Sequence, residues 1–526
     1  MKRVGAGAKL PASASSSTER WILFASILAS SMAFIDSSAL NVALPSLQAE
    51  LQASGAQLLW VVNAYMLMLA ALILVGGSLG DKLGRKKIFM LGIGLFLLAS
   101  LACGLVPTVA ILIGARVVQG VGGALLIPGS LAIISASFGD ERRGRAIGTW
   151  SAATTLVTIV GPVLGGFLAD AGLWRGIFLI NIPLGVVALV VLFFKVPESR
   201  NQQAAPEIDY VGAALASLGL AGLTYGFISV PRLGFGAPLV LGALLGGVIA
   251  LVAFVVVEVR SRHPMMPLQL FRSRTFSGAN LLTLFLYAGL SVGLFFLSLN
   301  LVQAQSYSQS LAGLAFTPFA VLIALLSRLT GGLADRYGPR LPLIVGPGLA
   351  GLGFLLFALV GLTAGPASYW TTFFPGIVIF GIGMAVTVAP LTTAVMGALP
   401  GHYAGTASGI NNAVSRTAGV LAIAIVGALA LFVFASALDA RTATLGLPAS
   451  VRAALQADSA RLGAARVPAG VTPAQSDAIR LAIRLAFVDA YRVVMLVCAG
   501  LAWLGAAMAA VFVRGARAII APSTSI

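Results

Sequence analysis

Two ionisable residues stand where their neighbours leave them no water. Asp36 lies inside an apolar run at 21–45, and Arg116 lies inside another at 108–134. An ionised side chain at the centre of a bilayer costs about 2.5–3.5 kcal/mol on the mildest scale, so such a residue turns toward a cavity or a partner. With a rise of about 1.5 Å per helical residue, Asp36 falls roughly 4–5 Å and Arg116 roughly 6 Å from the midplane, both on the same side. Burial favours the neutral acid, whereas a nearby guanidinium favours the carboxylate. Held between the two, Asp36 is poised to trade a proton, and a static salt bridge joining two helices is the competing reading. Gln119 and Gly120 follow Arg116 by about one turn and shape the same site.

Other polar residues in apolar runs are weaker candidates. Arg416 sits inside the run at 405–434 and is a candidate for contact with a passing compound, while Arg328 is near enough to a span's edge to snorkel and reads as structural. Asn41, Tyr65, Tyr287 and Asn411 are cavity candidates by placement, with helix packing an equal reading for each. His263 and His402 fall in loops and read as solvated. Cys103 and Cys498 lie in apolar runs far apart, which suggests neither a disulfide nor a metal site. Nothing matches a phosphate loop ending in Gly-Lys-Ser/Thr, so ATP is not the expected energy source and no cofactor is expected.

The elements that must hold these residues follow from composition. With 59% hydrophobic and 9% charged residues in 526, the chain carries more apolar surface than a soluble fold could bury, so lipid is its solvent. The net charge of +17 comes in short clusters between apolar runs rather than on one basic face, which argues against nucleic acid. A membrane helix needs about 20 apolar residues. Runs of that kind fall at 21–45, 56–80, 88–105, 108–134, 145–168, 175–195 and 208–230, then at 237–257, 276–301, 311–334, 341–363, 370–398, 405–434 and 485–513. Fourteen spans of an all-α membrane protein are predicted, preceded by a tail at 1–20. The first run has no small-residue cleavage site before Asp36 and reads as an uncleaved span.

If the amino terminus is cytoplasmic, the inner segments hold roughly 21 positive charges and the outer ones about 8, six of them in the single long segment at 435–484. Both termini are therefore expected inside. In that long segment Thr472-Pro473-Ala474-Gln475 reads as a capping box with proline at the first helical position, so the last helix should begin beyond the bilayer.

An internal repeat fixes the architecture. Gly76-Gly77-Ser78-Leu79-Gly80-Asp81-Lys82-Leu83-Gly84-Arg85-Lys86 joins spans 2 and 3, and Gly331-Gly332-Leu333-Ala334-Asp335-Arg336-Tyr337-Gly338-Pro339-Arg340 joins spans 10 and 11. The two align without a gap at an even offset of eight spans, which gives two halves of parallel topology. Spans 1–6 (21–200) and 9–14 (261–526) are then repeats, and spans 7 and 8 (201–260) are an inserted hairpin. Locally, the glycines permit a sharp turn, the aspartate suits a helix amino terminus and the cations suit an anionic leaflet.

These loops resemble the signature loop of the major facilitator superfamily, and the 6+2+6 layout resembles its fourteen-helix drug:proton antiporter branch. Phe34-Ile35-Asp36-Ser37-Ser38-Ala39-Leu40-Asn41 through Pro45 is similar to that branch's first-helix motif, with Ser38 where threonine is commoner. Leu112 to Gly123 resembles the fourth-helix motif, and Trp174-Arg175 through Asn181-Ile182-Pro183 the entry to the sixth helix. Pro390-Leu391-Thr392 and Ala404-Gly405-Thr406-Ala407-Ser408-Gly409 look like further signatures. The fifth span carries Gly148, Gly161-Pro162 and Gly165-Gly166, similar to the motif of exporters, with Val157 where that motif has glycine. A packed, bendable hinge or a purely structural kink both fit it.

The resemblance implies a secondary exporter in a bacterial cytoplasmic (inner) membrane, multidrug efflux in type, monomeric and surrounded by lipid. Asp36 and Arg116 would couple protons, and Asn41, Tyr65, Gln119, Tyr287, Asn411 and Arg416 would meet cargo. Gly77, Gly80, Asp81, Gly84 and Arg85, with Asp335 and Arg336, would form conformational switch loops. The thirteenth span has no acid, and some relatives that export dications carry one there, so neutral or monocationic lipophiles are the expected cargo. A dedicated metabolite, siderophore or antibiotic exporter shares the same scaffold. A membrane receptor or embedded enzyme would need a sensor domain or a catalytic cluster, and neither is visible.

Overall fold

The computed structural model describes residues 16–200, 209–261, 264–399 and 403–514. Most of the expected tail at 1–20, both histidines, and the side chains of Arg328, Asp335 and Arg336 lie outside the described residues. Fourteen helices are long and apolar enough to cross a membrane. The first six are α1 (Ser16–Leu51), α2 (Gly55–Leu83), α3 (Arg85–Leu105), α4 (Val109–Ser137), α5 (Asp140–Asp170) and α6 (Gly176–Lys195). The pair α7 (Tyr210–Leu233) and α8 (Pro238–Arg260) comes next. The last six are α9 (Arg274–Ala304), α10 (Gln309–Gly332), α11 (Arg340–Leu359), α12 (Tyr369–Gly397), α13 (Ala404–Ala443) and α14 (Pro473–Phe512). No strand occurs among the described residues, as expected where lipid offers the backbone no hydrogen bonds. Because the number of helices is even, the chain enters at Ser16 and leaves at Arg514 on one side, called here the terminal face; the opposite side is the far face.

Small residues let the helices close up. A Cβ on Gly76 would sit 2.0 Å from the Ala124 carbonyl oxygen between α2 and α4, and one on Gly122 would sit 2.6 Å from the Phe96 nitrogen between α4 and α3. The second half repeats this, with Gly383 of α12 against the Ala350 nitrogen of α11 at 2.5 Å. Such contacts stand in for the hydrophobic force that lipid removes. The pair α7 and α8 meets through Gly222 and Gly247. Helix α7 also touches both halves, Leu220 packing with Leu67 of α2 and Val420 of α13, whereas α8 is largely exposed, as a lipid-facing helix must be.

Several boundaries differ from the sequence reading. Between α2 and α3 the expected loop shrinks to one residue: α2 runs through Gly77, Gly80 and Asp81 to Leu83, and Gly84 alone turns the chain at φ +119°. Before α11 the turn is made by Gly338, at φ +86°, together with Pro339. Asp81 does not cap α3; it ends α2 and pairs with Arg85 at 2.7 Å. The carboxylate at the amino terminus of α3 is Glu198, which accepts from the Lys86 and Lys87 amides at 3.0 and 3.1 Å. Helix α10 is interrupted at Phe316, about two turns after its start. Helix α13 overruns its expected end by nine residues, and the segment beyond it folds into a short helix at Ala449–Asp458. Thr472 and Gln475 form the expected capping box with Pro473 at the first turn of the unbroken α14.

Candidate functional site

The centre of the first half is a closed charge network. Asp36 of α1 and Arg116 of α4 are 0% and 1% exposed, so neither faces lipid. Arg116 Nη1 donates to Asp36 Oδ2 at 2.5 Å and to Gln119 Oε1 at 2.7 Å, and its Nε donates to the Val61 carbonyl of α2 at 3.1 Å. Gln119 Nε2 donates to Asp36 Oδ1 at 2.9 Å and to Ser100 Oγ of α3 at 2.9 Å. Both carboxylate oxygens thus have donors. The guanidinium carbon lies 4.4 Å from the centre of the Tyr65 ring and 5.8 Å from that of Phe178, a cation–π sandwich added to the ion pair.

Helical spacing explains the arrangement. Arg116 and Gln119 are three residues apart, so one face of α4 presents both to α1. Gly120 removes the side chain that would otherwise hold α2 away: a Cβ there would lie 2.5 Å from the Tyr65 carbonyl oxygen. Four helices share one network: α4 bonds the carboxylate of α1 directly and reaches α2 and α3 through Arg116 and Gln119. Protonating Asp36 would remove the charge that holds Arg116, and nothing else in this network is anionic.

The remaining candidates separate. Tyr65 is buried, with its ring against the Arg116 guanidinium. Arg416 of α13 and Tyr287 of α9 are both half-buried. Asn411, in contrast, packs: its Nδ2 donates to Thr283 Oγ1 at 2.7 Å and to Asn280 Oδ1 at 3.2 Å on α9. Asn41 is half-buried at the seam between halves, where its carbonyl accepts from Ser298 Oγ at 2.9 Å. Sequence reasoning missed Ser100, Tyr65's role as a ring under the guanidinium, and Asn63, whose buried amide has no partner; a polar residue in an apolar run was the available signal for each.

The two halves are joined at the far face. Gln303 donates to Gln48 Oε1 at 2.8 Å, and Gln48 donates to the Arg461 carbonyl at 2.9 Å. Asp170, the last residue of α5, accepts from the Gln309 and Ser310 amides at 2.9 and 2.8 Å. A carboxylate from one half therefore caps a helix of the other. Gln309 also donates to Ser46 Oγ at 2.5 Å and Arg461 to Gln52 Oε1 at 3.0 Å on this side. The fifth-helix glycines make the approach possible: a Cβ on Gly165 would lie 2.3 Å from the Ala39 carbonyl oxygen, and one on Gly166 2.2 Å from that of Gln309. Gly313 in turn sits over the Pro162 carbonyl, at 2.2 Å for a built Cβ. Gly148, at the other end of α5, has open space around it. Among the described residues no group of His, Cys, Asp and Glu could hold a metal.

Comparison with known proteins agrees with this architecture. The sequence model of the Major Facilitator Superfamily matches residues 26–424. The chain is 35% identical to the multidrug resistance protein Stp of Mycobacterium tuberculosis over 78% of this chain and 76% of that one. It is 30% identical to the tetracenomycin C resistance and export protein of Streptomyces glaucescens over 92% and 90% of the two. The crystal structure of a bacterial homologue of the human lysosomal transporter Spinster, inward-facing and unoccupied, superimposes with a TM-score of 0.65 at 19% identity, over 94% of this chain and 98% of that one. The chain belongs to the major facilitator superfamily and is a multi-pass membrane transporter of small molecules, not an enzyme.

Proposed function

We propose that the chain is a proton-driven exporter of small lipophilic compounds such as drugs or toxins, working as a monomer in a bacterial cytoplasmic (inner) membrane. The single observation that carries the reading is the buried carboxylate of Asp36, bonded to Arg116 within the membrane. Intramembrane acids mark ion pathways far more often than they stabilise folds. The names of the Mycobacterium and Streptomyces relatives support export of antibiotics.

The cycle runs as follows. The terminal face is cytoplasmic, as the distribution of Lys and Arg supports. With the far face sealed by Gln48, Gln303 and Asp170, cargo enters from the cytoplasm between the two bundles, 21–200 and 261–526. The bundles rock, α5 and α10 part at the far face, and Asp36 takes a proton from outside. Neutral Asp36 releases Arg116, cargo leaves, and the proton is delivered inside on return. Each proton entering down 100 mV supplies about 2.3 kcal/mol. Gly77, Gly80, Gly84 and the Asp81–Arg85 pair, with Asp335 and Arg336 in the second half, form the switch at the cytoplasmic face.

A second reading, a dedicated exporter of one metabolite, is favoured by the Streptomyces relative, which aligns over nearly the whole chain. Proteoliposomes with an imposed pH gradient, loaded with a panel of dyes and antibiotics, test both. Gradient-dependent uphill movement of several compounds supports a multidrug exporter, and of one compound a dedicated exporter. Movement that ignores the gradient would contradict proton coupling.

A further inference from the structure

Arg416 differs from every other charge at the centre of the molecule. It stands on the stripe of α13 that faces α2, between Gly409, which meets Leu74, and Gly419, which meets Met66. Its level can be read from α9. Asn411 bonds Thr283, an offset of 128 residues, and Gly419 meets Ser291 at the same offset, so Arg416 comes level with Tyr287 and Ala288. Among the described residues it forms no ion pair. Asp36, the buried acid of α1, is already bonded by Arg116 and Gln119. At this seam between the halves Arg416 is therefore a positive charge with no counter-charge among the described residues, at the level of Tyr287.

A lone guanidinium in low dielectric repels a cationic guest and binds an oxyanion through charged hydrogen bonds. We infer that the cargo carries an acidic group, a carboxylate or phenolate on an apolar body, and that Arg416 is the residue that selects it. The inference rests on the exporter reading. It replaces the expectation of neutral or monocationic cargo, which rested on the thirteenth span having no acid, because that span carries a cation without a counter-charge instead.

The test measures binding of anthraquinone-2-carboxylate, its methyl ester and ethidium to the purified full chain, alongside gradient-driven transport of all three. The carboxylate is expected to bind about tenfold or more tightly than its ester, the worth of one charged hydrogen bond. Arg416→Gln should bring that ratio near one, and Arg416→Lys should keep part of it; both variants are taken forward only as protein that elutes like the wild type. A wild-type ratio near one, a preference for ethidium, no binding of the carboxylate, or a ratio intact in Arg416→Gln would each overturn the inference. Gradient-driven transport of ethidium without preference for the carboxylate would sink it and leave the exporter reading standing. Carboxylate preference without any gradient-driven transport would do the reverse.

Discussion

Arg116 and Arg416 are both arginines inside membrane spans, one in each half of the molecule, yet their surroundings are opposite. Arg116 is enclosed, with a carboxylate, a carboxamide and a backbone carbonyl as acceptors and aromatic rings beside it. Arg416 is half-buried and has no counter-charge among the described residues. Asn411, five residues away on the same helix, bonds only the neutral Thr283 and Asn280. One half balances its charge and seals it; the other leaves it available. On the proposed function, this contrast would divide the labour, with proton exchange in the first half and recognition of cargo in the second.

The largest effect should come from breaking the balanced side. Arg116→Ala strands Asp36 as a buried, unpaired acid, and loss of one partner of such a pair costs about 3–5 kcal/mol. Arg416→Ala removes a charge without a partner and should cost under about 0.5 kcal/mol. Thermal unfolding of the two variants in detergent reads the contrast directly; equal destabilisation would erase it. A smaller effect sharpens the neutral side. Asn411→Leu should cost about 1 kcal/mol through two lost hydrogen bonds, while leaving the coupling of protons to transport intact. A change in the number of protons moved per cargo in that variant would show that the coupling network extends into the second half.

Much of this was legible from residue types alone, because hydrocarbon tolerates so little. Asp36 and Arg116 announced each other by being charged at equal depth in apolar runs, and the doubled Gly-Asp-Gly-Arg loops announced the repeat. What stayed hidden depends on contacts that no local pattern reports. Glu198 caps α3 from 112 positions away, so Asp81, the nearer acid, was the natural but mistaken choice for that role. The far-face seal joins Gln48 to Gln303 across 255 positions, and glutamines at helix ends carry no signature of gating. The positions of Arg416 and Asn411, five residues apart on one helix, point in different directions, which only the packing of α13 against α2 and α9 decides.

The account stands on Asp36 exchanging a proton while cargo crosses. Proteoliposomes containing a trapped pH indicator, supplied with a transported compound, measure proton movement and cargo movement in one vessel. Wild-type protein should move protons against cargo and drive cargo uphill, whereas Asp36→Asn should carry cargo only downhill with no accompanying proton flux. Uphill, proton-coupled transport by Asp36→Asn at wild-type rates would contradict it.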